Sequence, residues 1–273
     1  MKVSKSQFTK EEFRVYLREK REKKRIAKLN KSPHKQDIHN ISIVCLKHGK
    51  KYSADYVNIL YNMIRRNVTG DFNFYCITDN PSKLAPAIQP IPVPDIPISG
   101  WWFKPYIFSA SLPMTGTVLY LDLDVIVSSN IDKIFSFEVD NLCVIKDFIR
   151  FVRPTWNRYN SSVIKFPAGT QDYIWQSFVN NFSHYTRKYH GDQDFLLEVA
   201  HKKTTKFFPN DWIMSWKWEI RKSKQLSLTM PKGSRKFTQI ENIEAPDHCC
   251  IQVLHGDPNP HNCDDPFIIK HWK

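Results

Sequence analysis

Glycine is scarce in this chain, eight residues in 273. That excludes a collagen-like or Gly-rich low-complexity protein, and it leaves only one glycine near the first strand-like segment, where a phosphate loop would need several. Long apolar runs are absent too. None approaches the roughly 20 residues of a membrane span, and the opening "MKVSKSQFTKEEFRVYLREK" lacks the apolar centre of a signal peptide. A cytosolic protein is expected. No spaced CxxC pair occurs. Cys45, Cys76, Cys143, Cys249, Cys250 and Cys263 follow no scaffold-like rhythm, so reduced thiols are expected rather than disulfides. Cys249 and Cys250 raise a zinc site with His248 and Cys263, but neighbours on a strand diverge, and core packing accounts for them better.

Acidic residues are in deficit: 40 Lys and Arg face 27 Asp and Glu, a net charge of +13. Residues 1–40 hold 13 basic against 5 acidic residues, a surplus of 8, so the rest of the chain carries 13 − 8 = +5. Phe13, Tyr16, Leu17, Ile26 and Leu29 fall near helical spacing, and Thr9 with Glu12 fits a capping box. A basic helical extension over residues 1–40 is expected, ending in the linker "KSPHKQ". It could dock through residues 1–30 on an anionic membrane, and a solvated extension is the plainer alternative. Nucleic acid is disfavoured as a partner, because the body is only modestly basic and carries no binding module.

What is present is ordinary globular material. An apolar fraction of 41% over 273 residues supplies a sizeable core. "ISIVCL" (41–46) reads as a strand, 53–68 has helical spacing through Val57, Leu60 and Ile64, and "FNFYCITD" (72–79) reads as a second strand. That is a βαβ unit, hence a parallel sheet. Ligands in such sheets bind beyond the carboxyl ends of the strands, which makes Lys47, Tyr52 and Thr78 candidate nucleotide contacts. A proline-rich connection leads to a short helix near 102–109, then to a strand at 117–121. "VLYLDLDVIVSSN" (118–130) next places Asp122 and Asp124 within an apolar run. Two residues apart on a strand, they would point the same way. Buried like charges repel, so the pair suits a strand's open end with a hard cation between the carboxylates. Two solvated aspartates entering a loop are the bland alternative.

The ordered segments "WWFKPYIFS", "YLDLDVIV", "YNSSVIKF", "GDQDFL" and "VLHGDPNPH" resemble the GT-A glycosyltransferases, in particular glycosyltransferase family 8 and its bacterial relatives, over residues 41–272. The resemblance implies one α/β GT-A-like domain over 41–273 with a mixed, mostly parallel central sheet. It implies a metal-dependent transfer of a hexose from a nucleotide sugar, most simply UDP-linked, to a saccharide or lipid-linked glycan, with retention. A cation, Mn²⁺ before Mg²⁺, would be held by Asp122, Asp124 and His255. Asp192 would bond donor-sugar hydroxyls, Gln193 would lie beside the anomeric carbon, and Asp194 is the rival nucleophile. A helix N-terminus rich in acids is the bland reading of that stretch.

Lys104, Asp147, Asn160 and Gly256 match donor-contact positions. The relatives' lysine after the His-Gly pair is missing from "HGDPNPH", which offers Asp257, Asn259 and His261; His261 or Lys270 would take over. "FFPNDWIMSWKW" (207–218) reads as core, with Trp212, Trp216 and Trp218 as an alternative acceptor platform. Sugar-phosphate nucleotidyl transfer and a catalytically degenerate scaffold are the remaining alternatives.

Overall fold

The computed structural model describes residues 40–221 and 243–273. The basic extension and its membrane contact lie outside the described residues.

The first strand, β1 (Ile41–Lys47), is buried on both faces. Ile41, Ile43 and Cys45 enter one core, while Val44 enters the other. Helix α1 (Ala54–Asn67) starts at Ser53, whose hydroxyl accepts from Asp55 N at 3.3 Å, and ends with Arg65 and Arg66 in its last turn. Both termini thus suit the helix dipole. Tyr56, Val57, Leu60, Met63 and Ile64 form its buried stripe. Strands β2 (Phe72–Thr78) and β3 (Ile88–Pro92) follow. The proline-rich connection thus contains a strand, β3. It lies at the edge of the sheet, where Pro90 and Pro92 forfeit little pairing.

A 3₁₀ segment, Gly100–Phe108, leads to β4 (Thr117–Leu121), β5 (Val125–Val127), α2 (Asp132–Ser136), β6 (Leu142–Lys146) and β7 (Tyr159–Pro167). Then come α3 (Asp172–Lys188), α4 (Asp192–Val199), β8 (Thr205–Phe207), β9 (Ile213–Ser215), β10 (Ile251–Val253) and α5 (Pro266–His271). The main sheet runs β3-β2-β1-β4-β7-β6-β8, with β7 alone antiparallel to its neighbours. It is the mixed, mostly parallel sheet expected. Helix α1 covers one face; the 3₁₀ segment, α3 and α4 cover the other. A second sheet, β5-β10-β9, packs into the core beneath α1.

The strand at 117–121 is where it was expected, but the two aspartates do not lie on a strand: β4 ends at Leu121, Leu123 and Asp124 form a turn, and β5 belongs to the second sheet. The acidic pair occupies the corner where the chain leaves one sheet for the other. All six cysteines are buried and free. Trp216 is fully buried, and Trp212 and Trp218 pack against the core, as expected for the aromatic segment. Among the described residues no helix is long and apolar enough to cross a membrane.

Candidate active site

The carboxyl end of β4 gathers charge. Asp122 N donates to Ser162 O of β7 at 2.9 Å, so the backbone at Asp122 is fixed by the sheet. Its carboxylate accepts from the Tyr120 hydroxyl at 2.5 Å and pairs with Lys104 Nζ at 3.0 Å. Lys104 rises from the 3₁₀ segment, is 6% exposed, and also reaches Ser161 Oγ at 3.0 Å and Asp192 at 3.4 Å. Burial alone would lower this ammonium, but the charges of Asp122 and Asp192 outweigh it and hold it above its ordinary value. One buried lysine thus joins the acidic corner to the first residue of α4. Burial raises the Asp192 carboxyl, with Lys104 opposing.

Asp124 is pushed up to about 7, first by burial and then by the charge of Asp122, with Lys51 and Lys104 opposing. The same two aspartates, after burial, raise the Tyr52 phenol, so Tyr52 faces the corner from the start of α1. Its hydroxyl donates to Asn259 Oδ1 at 3.4 Å, while the Tyr56 hydroxyl meets His261 Nδ1. The two tyrosines thus hold the segment that follows His255, through Asn259 and His261.

β10 delivers His255. Its register with β5 pairs Val253 with Val125, and Leu254 N donates to Asp124 O at 3.0 Å. His255 follows directly. Its ring stacks on Phe148 at 5.4 Å and meets the edge of Trp218 at 4.4 Å, and Nε2 hydrogen-bonds Ser215 Oγ at 2.7 Å. Gly256 adopts φ +69, with open space where a Cβ would stand. That left-handed turn favours glycine. Lys217 Nζ donates to His255 O at 2.9 Å and Gly256 O at 2.6 Å. Burial lowers this ammonium to about 8, with Asp124 and Asp257 opposing.

The other candidates divide. Lys47 and Thr78 pair in register at the carboxyl ends of β1 and β2, but the Thr78 hydroxyl is engaged by the Asn80 backbone. Asp147 caps a 3₁₀ turn through Ile149 N at 2.9 Å, and Asn160 Oδ1 accepts from Ser162 N at 3.0 Å. Asp194 pairs with Arg158 at 2.7 Å on a part-exposed surface, while Gln193 is part-buried in the first turn of α4. Asp122, Asp124 and His255 are not assembled into a cage: among the described residues no three His, Cys, Asp or Glu side chains stand ready to hold a metal ion.

By donor type, Asp122 and Asp124 offer hard oxygens and His255 an imidazole, the ligands that a divalent cation such as Mn²⁺ or Mg²⁺ takes. Asp124 is raised by burial first and by the neighbouring Asp122 second, and a cation beside it would oppose both. A hydrogen bond on one ring nitrogen, as Ser215 makes, is what orients a metal-binding imidazole.

Sequence reasoning missed Ser215, Lys217 and Glu219. Glu219 accepts from Arg150 Nε at 2.8 Å and from Ser215 N at 2.8 Å. Their signal was the alternation of polar residues in "SWKWE", masked by its tryptophans.

No family model matches the chain, and no curated protein matches it in sequence. Solved structures do. The glycosyltransferase GlyE of Streptococcus pneumoniae TIGR4 aligns at TM-score 0.56 with 12% identity, over 82% of this chain and 57% of its own. This chain therefore spans little more than half of GlyE. The galactosyltransferase LgtC, solved with donor and acceptor sugar analogs, aligns at TM-score 0.57 with 13% identity, over 84% of this chain and 93% of its own. An active-site mutant of LgtC aligns at 0.59 and 14% over the same shares, 84% and 93%. The chain therefore has the GT-A fold, and in its architecture it resembles the family 8 glycosyltransferases.

Proposed function

We propose that the protein is a glycosyltransferase that moves a hexose from a nucleotide sugar, UDP-linked, to a saccharide or lipid-linked glycan with retention. The observation that carries this reading is the buried acidic corner after β4, wired through Lys104 to Asp192 at the start of α4. It lies beyond the carboxyl ends of parallel strands, where such sheets bind ligands.

Lys104 holds Asp122 and Asp192 in fixed positions, so Asp192 can accept hydrogen bonds from donor hydroxyls without reorganising. Gln193, next in the same turn, is too weakly basic for a strong nucleophile; its amide oxygen instead suits stabilisation of an oxocarbenium-like state. In a same-face transfer the bond from the anomeric carbon to the diphosphate breaks and the acceptor oxygen bonds that carbon. The acceptor's proton passes to the departing phosphate. A divalent cation held by Asp122, Asp124 and His255, Mn²⁺ before Mg²⁺, would supply charge neutralisation for the leaving diphosphate. On the acceptor side, the Trp101 indole is 53% exposed and passes within 3.8 Å of where a Gly191 Cβ would stand. An open aromatic face beside α4 suits stacking on a sugar.

The test is a donor screen with purified protein and Mn²⁺, reading release of the nucleoside diphosphate. Release with one UDP-sugar, lost at least 100-fold in Asp124→Ala, is expected. No release from any nucleotide sugar, with no thermal stabilisation by UDP and Mn²⁺, overturns the reading.

A further inference from the structure

Lys217 lies on the π-helical turn Trp216–Ile220 and is only 5% exposed. Burying an ammonium is expensive, and two N–H donors of this one go to consecutive main-chain carbonyls, His255 O and Gly256 O. Its base is rigid. Glu219 on the same turn binds Ser215 N, and Arg150 grips Glu219 through Nε at 2.8 Å and Nη2 at 3.1 Å. The turn that it holds is the one next to Asp124, through Leu254 N, and it contains the left-handed Gly256. A buried ammonium that donates to two consecutive carbonyls ties down the backbone of the turn that carries them.

We propose that Lys217 is a positioning residue: it clamps the His255–Gly256 turn against the acidic corner and sets a positive charge beside the path of the donor's diphosphate. The clamp rests on geometry alone. The diphosphate half rests on the glycosyltransferase reading above. This charge arrives from a segment distant in sequence, where "HGDPNPH" itself supplies no permanent cation.

Lys217→Met removes the charge and keeps the stem; Lys217→Arg keeps the charge. Amide hydrogen exchange in the ligand-free protein and calorimetric titration with Mn²⁺ and UDP separate the two halves. For Lys217→Met the expected result is exchange at residues 254–257 at least tenfold faster, with the β1–β4 core unchanged. Affinity for Mn²⁺–UDP should fall at least tenfold, and Lys217→Arg should restore most of both. If Lys217→Met fails to fold, Lys217→Gln carries the comparison. Unchanged exchange at 254–257 overturns the clamp. Faster exchange with undiminished UDP affinity overturns the diphosphate role. A wild-type protein that binds no nucleoside diphosphate sinks the glycosyltransferase reading, and the exchange measurement still decides the clamp.

Discussion

At the scale of single residues, the site is organised by the cost of burying charge. Lys104 can be buried because Asp122 and Asp192 both face it. Asp124 has no such partner at ion-pair distance among the described residues, and it responds by holding its proton up to about pH 7. The folded chain then binds that proton more tightly than the unfolded chain. Its stabilising effect is full below about pH 4 and fades as pH rises through about 7. In chelator-treated protein, Asp124→Asn should therefore flatten the decline in stability between pH 4 and 7. At pH 8 it should melt a few degrees above wild type, about 2–4 °C per kcal/mol in a chain of this size. Scanning calorimetry at pH 4 and pH 8 checks this; a variant less stable than wild type at pH 8 would refute it. Added Mn²⁺ should raise the wild-type melting temperature at pH 8 and leave Asp124→Asn nearly unmoved.

At the scale of elements, the site depends on β4 lying in register with β1. The pairing begins where Thr117 N donates to Asn40 O at 3.0 Å. A Cβ at Gly116, whose φ is +65, would stand 1.9 Å from that same carbonyl. Gly116→Ala should thus force the two central strands apart and cost about 2–4 kcal/mol, with transferase activity lost beyond the loss of fold. Gly169→Ala, at φ +72 with nothing within 4 Å, is the control and should cost only the left-handed penalty of roughly 1–2 kcal/mol. Urea denaturation of both variants decides it: equal losses would show that the close approach is unimportant. The same elements explain what was legible. β1, α1, β2 and β4 declare themselves because short apolar, β-rich runs and helical spacing are local signals. β3 was hidden by two prolines, which are tolerated only because the strand is at an edge. The turn at Leu123–Asp124 was hidden because β4 and β5 are both buried, and an apolar run does not reveal a change of sheet. Lys217 was hidden because its role depends on contacts 38 and 39 residues away.

At the scale of the whole molecule, the distribution of charge divides the chain. The +8 of residues 1–40 and the +5 of the remainder are unlike in density, 8 charges over 40 residues against 5 over 233. A GT-A body needs no such extension for a reaction confined to the carboxyl ends of its strands. On the function proposed above, an acceptor carried on a lipid would give the extension a purpose: about 1 kcal/mol per basic residue near an anionic surface would hold the protein where the acceptor is. Those contributions are screened within a Debye length of about 8 Å at physiological salt. Flotation with vesicles of phosphatidylglycerol and phosphatidylcholine should therefore carry the full chain upward at low salt, release it near 0.5 M NaCl, and fail for a chain lacking residues 1–30. Release of UDP from the donor by the shortened chain, with a soluble sugar acceptor, should stay within about twofold of the full chain. Binding to vesicles that survives the deletion would move the attraction to the body, whose +5 is too dilute to produce it by charge alone.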